Sequence, residues 1–170
     1  MTFVDPHVSV TQTDDYLWRL DRHLFYDDPD DGRMGVRRGY VTDFASVPRA
    51  IWWLVPTYGN YTPAAVLHDF LITHMIPAGA FSSRRVDRIF REAMRSLGVS
   101  FPRRWLMWAG VRWGALLNPT RRRGSLATLP GVLLVSLLAL PLVLPALAVL
   151  PSLLVFALLE RLLPGRTARD

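Results

Sequence analysis

Five side chains that could take part in chemistry are concentrated in one part of the sequence: Asp43, Ser46, His68, Asp69 and Asp87. A serine, an imidazole and a carboxylate are the components of a nucleophilic hydrolase, in which the imidazole takes the hydroxyl proton and the carboxylate fixes the tautomer of the ring. The candidate catalytic residues are therefore Asp43, Ser46, His68 and Asp69. Ser46 does not lie in the G-x-S-x-G turn that exposes many serine nucleophiles, which counts against this role.

An imidazole and two carboxylates could instead bind a divalent metal ion. His68 and Asp69 lie on one predicted helix and Asp87 on the next, so packing of these helices could bring the three side chains into one pocket. The chain contains no cysteine, which excludes thiolate metal sites and cysteine nucleophiles. His68, Asp69 and Asp87 are therefore the candidate metal ligands, and no other cofactor is indicated.

A third interpretation of the same residues is structural. Asp43 and Ser46 lie where a predicted strand gives way to a short helix, and either side chain could accept hydrogen bonds from N–H groups at the helix start. His68 could bind Asp43 or a backbone carbonyl, and Asp69 could pair with Arg49 or with an arginine of the next helix. Such a buried network fixes the packing of a small domain without catalysis. We favour this interpretation over the serine hydrolase and the metal site.

The elements around these residues predict an α+β domain with a small antiparallel sheet. Segments Phe3 to Thr11 and Tyr16 to Tyr26 are rich in β-branched and aromatic residues, and the second alternates apolar with polar residues. The acidic turn Asp27 to Gly32 is built from residues that favour turns, and the alternation then resumes at Met34. An antiparallel hairpin is therefore expected there.

Two or three helices are predicted to pack on this sheet. Apolar residues recur at helical spacing from Thr62 to Met75, and again in a helix that Ser82 or Ser83 could cap and Gly98 could end. A third helix, Pro102 to Leu117, is rich in tryptophan. His68 belongs to the first of these helices and Asp87 to the second.

Three blocks of this sequence carry a family resemblance: T-D-F-A-S-V-P-R followed by Trp52 and Trp53, then A-A-V-L-H-D-F-L, then V-D-R-I-F-R-E-A-M. Over about Gly35 to Gly114 the chain resembles the bacteriophage and prophage family called domain of unknown function 1353. The resemblance implies a phage or prophage context and brings no assigned activity. The family's patterned positions fall on Thr42, Asp43, Ala45, Ser46, Pro48, His68, Asp69 and Asp87.

The segment Gly124 to Leu159 contains 36 residues without a charge. About 20 apolar residues already span the hydrocarbon of a bilayer, so this run is predicted to be a membrane segment. As one helix it would be about 54 Å long, well over the roughly 30 Å available. A transmembrane or re-entrant helical hairpin that turns near Pro141 to Pro145 is therefore expected; a kinked span with an interfacial remainder and a soluble helix pair are the alternatives.

Charge predicts how the chain meets the membrane. Eight aspartates and two arginines between Met1 and Gly32 give a charge of −6, whereas fifteen arginines and four acids between Arg33 and Arg123 give +11. Arginines flank the apolar run on both sides, and the positive-inside rule then keeps the soluble domain cytoplasmic. The residues expected to contact lipid headgroups are Arg112, Arg121, Arg122, Arg123 and Arg161. Nucleic acid is a less favoured partner, because no nucleic-acid-binding motif accompanies the charge.

The sequence thus predicts three parts: a soluble α+β domain over 1–123, a membrane segment over 124–163 and a basic tail over 164–170. The function expected is that of a membrane-anchored structural or binding module, at the envelope or in phage assembly, with other phage or envelope proteins as further partners. A hydrolase built on the five candidate residues is the alternative, so the sequence leaves open whether the protein is an enzyme.

Overall fold

The N-terminal part of the chain forms two small antiparallel sheets, as seen in a computed structural model that describes residues 1–45, 47–122 and 126–163. The strands are β1 (Thr2–Phe3), β2 (Val10–Asp14), β3 (Leu17–Leu20), β4 (Leu24–Asp28), β5 (Gly32–Val36) and β6 (Val41–Thr42). One sheet has the order β1-β4-β5 and the other β2-β3-β6. Helices make up most of the remaining described chain, and the predicted α+β class is confirmed.

The β4–β5 hairpin follows from the acidic turn in the sequence. Asp28 lies opposite Gly32, whose φ of 74° is a left-handed conformation that glycine adopts at little cost. Tyr26 pairs with Met34, and both side chains are buried on the same face of the sheet. The alternation along β4 therefore predicts correctly which face meets the core.

The predicted strand Tyr16 to Tyr26 is instead two strands that belong to different sheets. β3 pairs with β2 and β6, whereas β4 pairs with β1 and β5. The chain bends between them because Asp21 is tied to the β2 side. Its backbone N–H donates to the Ser9 carbonyl, and its carboxylate accepts from Ser9 and from Thr11 at 2.8 Å.

Three helices pack on the sheets and enclose the core. They are α1 (Thr62–Phe70), which continues as a π-helix over Leu71–Met75, then α2 (Ser83–Ser96) and α3 (Phe101–Leu117). Ser82 caps α2, accepting a hydrogen bond from Arg85 N at 3.2 Å. The fully buried residues Val86, Ile89 and Met94 of α2 join Leu67 of α1 in one core with the strand residues. This core holds His68 and Asp87 at facing positions.

The apolar run near the C-terminus forms one helix, α4 (Leu129–Leu162), preceded by a short 3-10 helix over Leu126–Thr128. The predicted helical hairpin is therefore wrong. No glycine, asparagine or aspartate occurs between Val132 and Leu163, so the run lacks the residues that most readily adopt the left-handed conformation of a tight turn. Its internal prolines, Pro141, Pro145 and Pro151, are accommodated within the helix. By length and composition alone α4 could cross a membrane.

A narrow seam of α4 packs on the domain, and its other faces are exposed. The three buried residues Val132, Ala139 and Ala146 are spaced seven apart, so they lie along one face of the helix. Val132 packs with Trp108 of α3, and α4 also contacts the 3-10 helix Arg49–Ile51. Residues 147–162 contain no buried side chain. The first half of α4 is therefore attached to the domain, whereas the second half is not.

Candidate functional site

The motif that contains Asp43 forms a strained turn directly after β6. Phe44 has a φ of 65°, a left-handed conformation that is costly for a bulky residue. Two contacts hold it there: its backbone N–H donates to Thr42 Oγ1 at 3.0 Å, and its ring stacks on Trp18 with 5.5 Å between ring centroids. Ser46, a predicted catalytic residue, lies outside the described residues.

His68 and Asp87 meet inside the core. His68 is 7% exposed and lies on α1, and Asp87 is completely buried on α2. His68 Nε2 donates to Asp87 Oδ1 across 2.8 Å, and the imidazole packs against the Phe90 ring with 4.6 Å between centroids. The pairing of these two predicted residues thus links the first two helices.

Two arginines complete the shell around Asp87. Arg112 of α3 donates from Nη1 to Asp87 Oδ2 at 2.7 Å, and Arg121 donates from Nη2 to Oδ1 at 2.9 Å. Each guanidinium also binds a hydroxyl: Arg112 Nε donates to Thr128 Oγ1 at 2.9 Å, and Arg121 Nε donates to Ser83 Oγ at 3.2 Å. We call these four residues, Asp87, His68, Arg112 and Arg121, the Asp87 network.

Charge compensation keeps Asp87 ionised. Burial alone would raise the pKa of this carboxyl group, but the hydrogen bond and charge of His68, together with the two arginines, hold its pKa below the ordinary value. Opening the site would separate this buried carboxylate from its three donors, and the loss of these charged contacts makes opening unfavourable. The arrangement therefore suits a structural joint between α1, α2 and α3.

The network corrects the expected lipid contacts of Arg112 and Arg121. Arg112 is 1% exposed, and the side chain of Arg121 is 10% exposed. Both face inward because Asp87 would otherwise be a buried charge without compensation. Of the other predicted lipid-contact residues, Arg122 and Arg161 are exposed, and Arg123 lies outside the described residues.

Asp69 lies apart from this network, although it follows His68 directly. Consecutive helical residues point about 100° apart, so the two side chains cannot both face Asp87. Asp69 instead accepts a hydrogen bond from the Tyr40 hydroxyl at 2.9 Å. Burial raises the pKa of the Asp69 carboxyl group, and the nearby charge of Asp43 adds to the shift, while hydrogen bonds from Tyr40 and Thr42 oppose it.

The candidate residues are thus divided between two places. His68 and Asp87 come together in the interior, and Asp69 and Asp43 interact near Tyr40. Within residues 1–45, 47–122 and 126–163, no group of three or more histidine or acidic side chains is placed to hold a metal ion. The proposed ligand set His68, Asp69 and Asp87 is not assembled, and arginines occupy the positions on Asp87 that a cation would take.

A cleft of about 380 Å³ opens beside the Asp87 network. It is lined by Ile72, Thr73, Ile76, Pro77, Asn118, Thr120 and Arg121. Its charged group, Arg121, is already bound to Asp87 and Ser83. None of the four described candidate residues lines this cleft, so it does not bring the predicted catalytic groups together.

Sequence reasoning missed Arg112, Arg121 and Tyr40 as partners of the acidic residues. One signal for the two arginines was present: Asp87 lies next to Val86 on the apolar side of α2, so its burial required cations from elsewhere. Which cations these are depends on contacts between residues 25 and 34 positions apart in the chain. Helical periodicity alone does not identify such long-range partners.

Comparison with known proteins agrees with the resemblance in the sequence. The family model described as "Protein of unknown function (DUF1353)" matches residues 18–111, and so begins before the expected start at Gly35. This region contains β3 to β6, α1, α2 and the part of α3 that holds Trp108. Neither the curated proteins nor the solved structures gave a match. Because the family model covers more than half of the 170 residues, the chain belongs to the DUF1353 family.

Proposed function

We propose that this protein is a non-enzymatic module anchored to a membrane by α4. The observation that carries the proposal is the surface of α4, where the side chains outside the seam are almost all large and apolar. Exposed fractions reach 67% at Leu137, 71% at Leu138 and 71% at Leu154. Soluble monomers rarely expose a continuous apolar surface of this kind, and lipid hydrocarbon is the partner that matches its chemistry.

The seam suggests how α4 lies in the membrane. The seam residues Val132, Ala139 and Ala146 face the domain, so this half of the helix cannot be surrounded by lipid. Its outward face, which includes Leu137 and Leu144, is free to enter the hydrocarbon. We infer that the unattached second half of α4 continues in the same plane, which keeps both ends of the helix on one side of the bilayer. That arrangement agrees with the arginines before and after the run and with a cytoplasmic domain.

The state of the candidate residues supports a non-enzymatic role. His68, which would be the general base, is buried and donates to a carboxylate that two arginines also bind. A general base must reach a substrate proton directly or through one water molecule. The opening of this network would leave charges unpaired, so the same contacts that stabilise the domain oppose catalysis.

The phage or prophage setting of the proposal rests on the family resemblance. A domain fixed to the cytoplasmic face of the envelope could act there, or in phage assembly, by binding other phage or envelope proteins. Exposed aromatic residues on the domain, Tyr16, Trp53 and Tyr58, offer a surface for such contacts.

Anchoring is tested by flotation of the full-length protein with phosphatidylcholine vesicles. The wild type should float and should resist extraction at high salt. Replacement of two outward residues, Leu137→Asp with Leu144→Asp, should weaken partition by more than about tenfold, because two carboxylates would have to enter the apolar layer that the leucine side chains occupy. The control pair Val4→Asp with Leu17→Asp, at exposed positions beside β1 and in β3, should still float. A wild type that stays soluble, as a monomer or as an oligomer that covers α4, contradicts the proposal.

The non-enzymatic role is tested with His68→Gln. Phosphoester and carboxylic ester substrates should be hydrolysed at the same background rate by the wild type and the variant. Hydrolysis that is lost in a His68→Gln protein with an unchanged circular dichroism spectrum would instead support the hydrolase.

A further inference from the structure

A second group of arginines lines a cleft on the surface of α2. Arg84, Arg88 and Arg91 recur at intervals of four and three residues, which places them on one face of the helix. Together with Glu92, Trp108 and Thr128 they line a cleft of about 420 Å³. This volume lies within the range of small-ligand sites.

The positive charge of this cleft is not neutralised within the described chain. No carboxylate of residues 1–45, 47–122 or 126–163 forms an ion pair with Arg84, Arg88 or Arg91, whereas the adjacent Arg85 pairs with Asp28 at 2.7 Å. Glu92 is the one acidic residue among those that line the cleft. Three guanidinium groups facing one carboxylate leave a net charge of about +2, which an anionic ligand would balance.

Arg91 is the most fixed of the three cations. Its guanidinium lies over the Trp105 ring, 4.4 Å from the centroid, and 5.8 Å from that of Trp108. Burial lowers the pKa of Arg91; Glu92 opposes the shift, and the positive charge of Arg88 adds to it. A partly buried guanidinium held by stacking is preorganised for bidentate binding of a phosphate group.

The position of the cleft identifies the kind of phosphate. Thr128, on its wall, directly precedes α4. The first exposed leucines of α4 are Leu133 and Leu134, exposed by 51% and 58%. A ligand in the cleft would therefore place its anionic group beside the apolar surface of α4. A phospholipid has this layout, with a phosphate next to its hydrocarbon chains.

We propose that Arg84, Arg88 and Arg91 bind the phosphate of an anionic phospholipid headgroup at the start of α4. The inference rests on the proposed membrane anchoring and adds a lipid preference to it. The helix and the cleft then act together: α4 contributes apolar contact with any bilayer, and the arginine cleft selects for anionic membranes.

The test compares vesicles of phosphatidylcholine with vesicles that also contain phosphatidylglycerol, using the full-length protein. Phosphatidylglycerol should strengthen partition of the wild type. In the variant Arg88→Gln with Arg91→Gln this gain should fall roughly 25-fold, at about 1 kcal/mol for each basic residue near an anionic surface. The control variant Arg37→Gln with Arg38→Gln removes the same charge from exposed positions outside the cleft. Its gain should fall by less than about threefold. A second variant, Arg84→Gln with Arg88→Gln, leaves the Arg91 stacking intact in case the first variant does not fold.

The outcomes separate this inference from the anchoring itself. The cleft is not a headgroup site, and the anchor stands, if the wild type floats with phosphatidylcholine but phosphatidylglycerol adds nothing. The same holds if the Arg37 and Arg38 control variant loses as much of the gain as the Arg88 and Arg91 variant. Failure to float with phosphatidylcholine refutes the anchor. Binding of inorganic phosphate that Arg88→Gln with Arg91→Gln abolishes, together with no gain from phosphatidylglycerol, would assign the cleft to a soluble phosphate. Binding of a DNA duplex that Arg88→Gln with Arg91→Gln abolishes would assign it to nucleic acid.

Discussion

Two clusters of arginine meet α2, and they differ in what balances their charge. Arg112 and Arg121 surround the buried carboxylate of Asp87, whereas Arg84, Arg88 and Arg91 line an open cleft without an ion pair among the described residues. In the first cluster each cation compensates a charge that folding has buried. In the second, the net charge remains available to a partner. The same residue type therefore stabilises the fold in one place and is free for recognition in another.

The largest effect expected from this difference is that of Asp87→Asn. The variant removes the carboxylate that Arg112 and Arg121 both bind, and loss of one partner from a buried pair typically costs about 3 to 5 kcal/mol. Denaturant unfolding of the full-length protein in detergent measures this loss of unfolding free energy. Asp15→Asn, at an exposed position, is the matched control and should change it by less than about 0.5 kcal/mol. A cost for Asp87→Asn below about 1 kcal/mol would show that the Asp87 network does not hold the helices together.

A second prediction compares one arginine from each cluster. Arg112→Met should lower the unfolding free energy by roughly 2 kcal/mol, since Asp87 would keep His68 and Arg121 but lose one charged hydrogen bond. Arg88→Met, which removes an exposed cation that forms no ion pair with the described residues, should cost less than about 0.5 kcal/mol. Equal costs for the two substitutions, measured by the same unfolding experiment, would remove the distinction between the clusters.

The sequence predicted the local structure of the domain better than its long-range contacts. Alternation located the buried face of β4, and helical spacing with the Ser82 cap located α2. These signals depend on neighbours in the chain. The bend that separates β3 from β4 depends instead on Asp21 and its contacts with the β2 side, which no local pattern reveals.

Two residues of the Asp87 network, His68 and Asp87, were singled out from the sequence, but their arginine partners were not. His68 and Asp87 were correctly placed on two helices that pack together. The assignment of Arg112 to lipid failed because charge density along the chain does not say which side of α3 faces a buried acid. Similarly, the length of the apolar run and its prolines suggested a hairpin, although no residue between Val132 and Leu163 readily adopts the left-handed conformation of a tight turn, and the run forms one helix.

The smallest expected effect is on the pH dependence of stability, which distinguishes Asp69 on α1 from Asp87 on α2. The folded-state pKa of Asp87 is lowered, so the stability it contributes is present above its ordinary value of 3.8 and is lost as the pH falls below that value. The folded-state pKa of Asp69 is raised, mainly by burial, so its ionisation removes stability, which returns as the pH falls towards 3.8. The two carboxyl groups therefore act in adjacent pH windows and with opposite signs.

Urea unfolding from neutral pH to strongly acidic pH measures both windows in the full-length protein. Asp69→Asn should flatten the rise in stability that occurs as the pH falls towards 3.8. It should change the unfolding free energy at neutral pH by less than about 1 kcal/mol. Asp87→Asn should flatten the fall below pH 3.8. Arg88→Met should leave both slopes unchanged, because its guanidinium has no carboxylate partner among the described residues whose protonation could release it. If Arg88→Met changed the pH dependence below pH 3.8, the arginines of the cleft would share the carboxylate of Asp87. The two arginine clusters of α2 would then form one charge network.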